Sequence, residues 1–396
     1  GGLLDSDQWA ASTHASKATV FPFDFRRVFA LSHRELVEVL RDPVRLALAF
    51  LGSMFLLLMI AFGISHDVED LRFAVLDLDK TPESRGYVSN LSGSRYFVET
   101  DPAFSLDDLE SRLVTNDITL AIEIPPGFGR DAKRGASPQV SAWIDGANTQ
   151  RAGTIEGYVT GAHHAYNGQL LHDAGIDSGA LSLVDFETRY RYNPGFESIN
   201  AVGPSTPAIL LMLFPAILMA VSVVREKEIG TITNFHVTPT RRIEFLVGKQ
   251  LPYVLIGFIN FVAMAILVVV VLQVPLKGAV LPLAIGALLY VTSATGFGLL
   301  MSSMMSTQVA AVFVTAIIAM VPTSQFSGMM QPISTLEGSA QVIGSLWPTG
   351  YFVHLSVGSF TKGLGFEELS GDLLSLLIYA PVFTILAALF LRKQER

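Results

Sequence analysis

Two carboxylates stand two residues apart at the end of an apolar run, Phe-Ala-Val-Leu-Asp-Leu-Asp-Lys-Thr over residues 73–81. That spacing suits phosphoryl transfer, in which the first carboxylate, Asp77, attacks phosphorus and the second, Asp79, moves protons. Such chemistry also needs Mg²⁺ held by a second acidic cluster, and no Gly-Asp-x-x-x-Asp follows in the segment. The pair reads instead as turn carboxylates closing a strand. His163, His164 and His172 lie close together on a predicted helix, but zinc needs three or four convergent ligands in patterns such as His-Glu-x-x-His, and none is present. Neither a catalytic nor a metal centre is expected. The chemistry that remains is ion pairing, concentrated between residues 223 and 253, where Arg225, Glu226, Lys227, Glu228, Arg241, Arg242, Glu244 and Lys249 fall within one short run.

That run sits between two apolar stretches, 204–224 and 251–272, each long enough to cross about 30 Å of hydrocarbon as a helix. Four more windows of this kind, 44–64, 280–301, 309–329 and 373–391, bring the predicted spans to six. With 50% hydrophobic and 16% charged residues and a mean hydropathy of +0.46, the chain is too apolar for an ordinary soluble protein. Arg26, Arg27, Arg34, Arg41 and Arg45 precede or enter the first span and Arg392, Lys393 and Arg396 follow the last, whereas the short opposite loops offer only Lys277 and Lys362. The positive-inside rule therefore places both termini and the 225–250 loop in the cytoplasm; the expected location is a bacterial inner membrane.

The formal charge of −8 divides unevenly: residues 65–202 hold 21 acidic and 11 basic side chains. This segment is predicted to be an acidic extracytoplasmic α+β domain (65–203), with strands at 71–78, 118–124 and 140–144 and helices at 106–114 and 152–174. It has no positive patch, so direct nucleic-acid binding is not expected. The absence of cysteine suits that compartment but discriminates little. Upstream, 25–40 shows helical spacing, with Phe25, Val28, Phe29, Leu36, Val39 and Leu40 near one face and Arg26, Arg27, Arg34 and Glu35 elsewhere, as in an amphipathic helix lying along the cytoplasmic interface. Asp42 then caps, and Pro43 starts, the first span. The expected order is a cytoplasmic segment with interfacial helix (1–43), the first span (44–64), the inserted domain (65–203) and spans two to six (204–396).

The charged run resembles a signature of type-2 ABC permeases, Arg-Glu-x-Glu-x-Gly-Thr at the end of the second span followed by Thr-Pro and Gly-Lys. Here these are Arg225, Glu226, Glu228, Gly230, Thr231, Thr238, Pro239, Gly248 and Lys249. A second stretch, 325–361, is similar to the Ser-Gly, Pro-Ile and Pro-Thr-x-Tyr-Phe segment before the last span of these permeases. The likeness is nearest to the C-terminal membrane half of ribosome-associated ATPase-type fused ABC transporters. It implies a permease working as a dimer, homomeric or heteromeric, with the loop 225–250 and the helix carrying Arg26, Arg27, Arg34 and Glu35 meeting an ABC ATPase. ATP and Mg²⁺ would belong to that ATPase, since no Gly-x-x-x-x-Gly-Lys-Ser/Thr phosphate loop occurs here. Leu-Ser-Gly-Ser-Arg at 91–95 is similar to the ABC signature but lies on the wrong side of the membrane. A start at Gly1-Gly2 rather than Met suggests a fragment or processing, and the family likeness favours a cassette fused upstream, with a separate subunit as the alternative. Spans almost devoid of ionisable residues argue against a proton relay. Two further readings stand beside export: a membrane anchor tethering an ATPase near the ribosome, and an enzyme acting through the inserted domain.

Overall fold

Backbone polar groups in hydrocarbon must be satisfied within their own segment, so apolar stretches of this length form helices. The protein is described here by a computed structural model that covers residues 23–63, 70–136, 138–146, 149–173, 191–193, 197–230, 242–329 and 332–393. Its first helix, α1 (Phe25–Leu40), starts at Asp24, whose side chain accepts from the Arg26 N–H. After Arg41 the chain restarts as α2 (Pro43–Gly63), with the Asp42 carboxylate accepting from the Arg45 N–H at 3.2 Å and Pro43 in the first turn. These are the cap and proline the sequence predicts. Leu48–Gly52 within α2 has π-helical geometry.

Residues 65–198 form a separate compact unit. Its elements are β1 (Leu71–Asp77), α3 (Pro82–Ser92), β2 (Phe97–Glu99), α4 (Leu106–Val114), β3 (Leu120–Ile124), α5 (Phe128–Lys133), β4 (Ser141–Ile144) and α6 (Thr149–Asp173). The sheet order is β2-β1-β3-β4, with β1 parallel to β2 and β3 and β4 antiparallel to β3. One face of β1 and β3, with Phe73, Val75, Leu120 and Ile122, packs on Tyr87, Phe128, Ile155 and Tyr166; the other, with Ala74, Leu76 and Ala121, packs on Leu109 and Ile118. Burial on both faces explains why 73–76 is a continuous apolar run. Helix α3 and strand β2 escape sequence reading, because α3 is weakly amphipathic and β2 has only three residues. What fixes α3 is local: Thr81 and Ser84 form a reciprocal capping box and Pro82 occupies the first turn.

The other helices among the described residues are α7 (Ile199–Ile229), α8 (Arg242–Val270), α9 (Val280–Met304), α10 (Gln308–Gln325), the short α11 (Ser339–Leu346) and α12 (Pro348–Val357), and α13 (Phe366–Lys393). Among the described residues six helices, α2, α7, α8, α9, α10 and α13, are long and apolar enough to cross a membrane. They correspond to the six predicted spans. The family-like stretch 325–361 folds in part as α11 and α12, too short to cross. Helix α7 is largely buried and carries Pro204, Pro207 and Pro215 inside it. Hydroxyls of neighbouring residues serve its carbonyls: Ser356 donates to Pro204 O at 2.7 Å, Thr206 to Val202 O at 2.7 Å and Tyr290 to Ala208 O at 2.8 Å. Helices approach closely where side chains are absent. A Cβ on Gly298 of α9 would lie 2.2 Å from the Ala216 carbonyl oxygen of α7. In α2, Ser53 Oγ lies 2.9 Å from Asn260 Oδ1 of α8, and Asn260 donates to the Ala49 carbonyl; side chains entering the ladder account for the π segment.

Candidate functional site

The charged run begins inside a helix: Arg225, Glu226, Lys227 and Glu228 are the last turn of α7. Gly230 ends it with φ +77°, a left-handed conformation that glycine adopts without strain, its N–H donating to Lys227 O at 3.1 Å. Residues 231–241, and with them Thr231, Thr238 and Pro239, lie outside the described residues. Helix α8 then carries Glu244, Gly248, Lys249 and Tyr253.

Lys249, only 3% exposed, joins two carboxylates from two other helices: its Nζ is 2.9 Å from Glu35 Oε2 of α1 and 2.9 Å from Glu226 Oε1 of α7. The buried Glu35 also accepts from Ser222 Oγ at 2.7 Å and Tyr253 Oη at 2.9 Å. Burial by itself pushes the Glu35 carboxyl up; the Lys249 charge and the donors Ser222, Lys249 and Tyr253 outweigh it, so the carboxyl titrates below its ordinary range. Arg34 lies 3.3 Å from Glu226, and Arg225 is 3.7 Å from Glu38. A second buried carboxylate, Glu244, accepts from the Asp24 N–H at 2.8 Å and pairs with Arg27 at 3.4 Å. Arg26 is exposed.

Local geometry makes this meeting possible. Helical spacing places Glu35 on the flank of α1 that carries Val28 and Val39, and this flank packs on α8, while Phe25, Phe29 and Leu40 on the adjacent flank are exposed. The single apolar face predicted for 25–40 is thus divided, and Glu35, predicted to stand apart from it, belongs to its buried half. Gly248 permits the close approach: a Cβ there would be 3.0 Å from both Leu31 Cβ and Val28 O. Around the charges pack Val39, Met219, Val223, Phe245 and Leu246. The same last turn of α7 reaches two further helices. Lys227 Nζ donates to the Ser302 and Ser303 carbonyls at the end of α9, at 2.6 and 3.2 Å. Glu228 accepts from the Gln308 N–H and side chain at the start of α10, where a carboxylate suits the positive end of a helix.

Glu226 and Glu228, predicted as loop residues facing a partner, therefore hold intramolecular partners at the end of a span. The signal for the cluster was readable as i, i+4 pairs: Ser222 with Glu226 on α7, and Lys249 with Tyr253 on α8, each one face of a helix. Which helix supplied the matching carboxylate was not.

The acidic pair of the 65–198 unit is saturated locally. Asp77 accepts from the Asp79 and Lys80 N–H groups, both at 2.9 Å, and from Ser84 Oγ at 2.6 Å. Asp79 accepts from the Gly127 and Gly129 N–H groups at 2.7 and 2.8 Å and from Thr81 Oγ1 at 2.6 Å; these donors hold its carboxyl below the ordinary range. The amides beside β1 and β3, where a phosphate would dock in a sheet of this order, thus face a side chain of the chain itself. His163 stands beside Tyr87 and Asn167, the His172 side chain lies outside the described residues, and among the described residues no group of three His, Cys, Asp or Glu is placed to hold a metal.

Residues 46–389 match the family described as ABC-2 family transporter protein. The chain is 27% identical over 340 residues to the probable multidrug ABC transporter permease YbhS of Escherichia coli K12, covering 86% of this chain and 89% of that protein. It is 25% identical over 370 residues to the inner membrane transport permease YhhJ of the same organism, covering 93% and 97%. Over a stretch of equal length it is 24% identical to the probable multidrug ABC transporter permease YbhR, covering 93% and 99%.

Proposed function

This chain belongs to the ABC-2 family of transporter proteins as a type-2 ABC permease, and on that footing we propose that it is the membrane half of an ATP-driven exporter. In this reading an ABC ATPase, fused upstream or separate, supplies ATP and Mg²⁺, and a second permease half completes the path. Both termini and the end of α7 face the cytoplasm, and the acidic 65–198 unit lies outside. The names of the relatives favour small, chemically varied solutes as cargo. They also favour a permease over a ribosome-tethering anchor, for which no specific observation speaks.

The observation that carries the coupling proposal is Lys249 bridging Glu35 and Glu226. Coupling needs rigid elements that move together when the ATPase closes. A cation shared by α1, α7 and α8 makes the interfacial helix and two spans respond as one body, while Lys227 and Glu228 extend the connection to α9 and α10. In this scheme the ATPase presses on α1 and on the 231–241 segment with Thr231, Thr238 and Pro239. Gly230 provides the turn between segment and span, and Arg26, exposed on α1, is available to acidic side chains of the ATPase. The test is co-purification with the ATPase followed by hydrolysis assays in proteoliposomes: the permease should bind it and raise its turnover when an amphipathic dye is added. An ATPase that binds but is indifferent to every dye and to the permease would refute ATP-driven transport.

A further inference from the structure

Beside the cluster lies a groove of about 500 Å³ lined by Arg34, Val37, Glu38, Arg41, Asp42, Pro43 and Arg225. Its position is set by the apolar sequence on either side. The apolar run of α2 begins at Val44 and the unbroken apolar run of α7 ends at Val224, ahead of Arg225, so the groove sits near the plane where two spans leave the hydrocarbon, the depth of lipid phosphates. Leu40, Val44 and Leu48, next to it, are exposed, as a surface that meets acyl chains requires.

The charges are arranged for a zwitterion. Arg41 is exposed and its guanidinium has no partner among the described residues. Among the described residues Arg225 contacts Glu38 at 3.7 Å, and Arg34 is 62% exposed beyond its bond to Glu226. Three guanidiniums around one opening suit a phosphate. The groove also contains a half-exposed carboxylate, Glu38, whereas Asp42 is engaged by Arg45 at 3.0 Å and by its role as helix cap. A purely anionic head group would meet Glu38 with repulsion, and a choline head group cannot donate to it. We propose that this groove is a binding site for the phosphoethanolamine group of a membrane lipid, the phosphate on Arg34, Arg41 and Arg225 and the ammonium on Glu38. Basic pockets at the cytoplasmic ends of spans bind lipid head groups through this kind of contact. The proposal needs no assumption about cargo, and Arg34 is shared with the cluster through its contact with Glu226.

The test is native mass spectrometry of the full chain delipidated in detergent and offered phosphatidylethanolamine, phosphatidylglycerol or phosphatidylcholine of identical acyl chains. Wild type should retain phosphatidylethanolamine in preference to the other two. Arg41→Gln and Arg225→Gln, both at exposed or half-exposed positions, should each weaken retention roughly five- to tenfold, the loss of one charge-assisted contact. Glu38→Gln should remove the preference for phosphatidylethanolamine over phosphatidylglycerol while leaving phosphate binding in place. Soluble phosphoethanolamine competing only at far higher concentration supports a lipid; competition at the lipid's own concentration overturns the lipid and leaves the free phosphate ester. Equal retention of the three lipids, retention unchanged in the arginine variants, or protection of a cysteine at position 41 by the ATPase alone with no lipid bound, would overturn the proposal.

Discussion

Lys249→Met is the sharpest perturbation of the cluster. Methionine keeps the length of the side chain and removes one charge that serves two carboxylates, each 2.9 Å away. Glu226 still faces Arg34, but Glu35 is left ionised, buried and served only by the neutral donors Ser222 and Tyr253. Removing one partner of a buried pair costs about 3–5 kcal/mol. Glu35→Gln is milder, about 1.5–3 kcal/mol, since Lys249 retains Glu226 and the amide oxygen still accepts from Ser222 and Tyr253. The double variant should cost less than the two singles together by about 0.5–3 kcal/mol, because the uncompensated charge is gone. Thermal unfolding in detergent at pH 7 reads this as a fall of roughly 6–20 °C for Lys249→Met, at about 2–4 °C per kcal/mol for a unit of this size. The pH dependence has a defined sign. The folded Glu35 carboxyl lies below its ordinary 4.5, so the unfolded chain takes up the proton first; this contribution is complete above pH 4.5 and is lost as pH falls through the lower folded value. Glu35→Gln should flatten that acid limb. Lys249→Met melting within about 2 °C of wild type, or strict additivity in the double variant, would refute the reasoning.

Other outcomes follow from single contacts. The His354 ring donates from Nδ1 to the Asp372 carboxylate at 2.7 Å, a bond that raises it above its ordinary 6.5; its contribution is present below that pH and is lost as pH rises through the raised value, and Asp372→Asn should abolish this alkaline dependence in a melting series. Gly298→Val should force α7 and α9 apart, since even a Cβ would overlap the Ala216 carbonyl; overpacking of this kind costs about 1–3 kcal/mol, read as lower melting temperature and lower transport, and a normal melt would contradict the packing. Asp77→Asn should leave transport and ATP hydrolysis nearly unchanged, whereas phosphate release by wild type that the variant lacks would restore the enzyme reading. Glu228→Ala should remove the contact with Gln308 at the start of α10 and lower dye-stimulated hydrolysis without lowering the amount of protein in the membrane; unaltered stimulation would exclude the α7–α10 contact from coupling.

The spans were legible because hydrocarbon imposes one pattern on any helix that crosses it, and the strands at 71–77 and 120–124 because burial leaves apolar runs. Helices α11 and α12 were not legible, since a stretch broken by Gly338, Trp347 and Pro348 has neither the length of a span nor a clear period. For the site, sequence gave the charged residues and their helical spacing but not their partners. Glu35 and Lys249 are 214 positions apart, and an acid beside an apolar flank reads as solvated until a cation from another helix is seen opposite it. Gly248 stood in sequence only as part of the family pattern, and its close contact with Leu31 emerges from the packing of α8 on α1.

The most direct test of ATP-driven export with transmission through the shared cation is transport in proteoliposomes carrying the permease and its ATPase. An amphipathic fluorescent dye should move, only with ATP, from the side of the ATPase to the side of the 65–198 unit. Glu226→Gln should cut the dye-stimulated increment of hydrolysis and the dye flux together by roughly five- to tenfold, the range of ordinary coupling energies, with the ATPase still bound. Flux in the opposite direction, flux without ATP, or full stimulation and flux in both Glu226→Gln and Lys249→Met would contradict it.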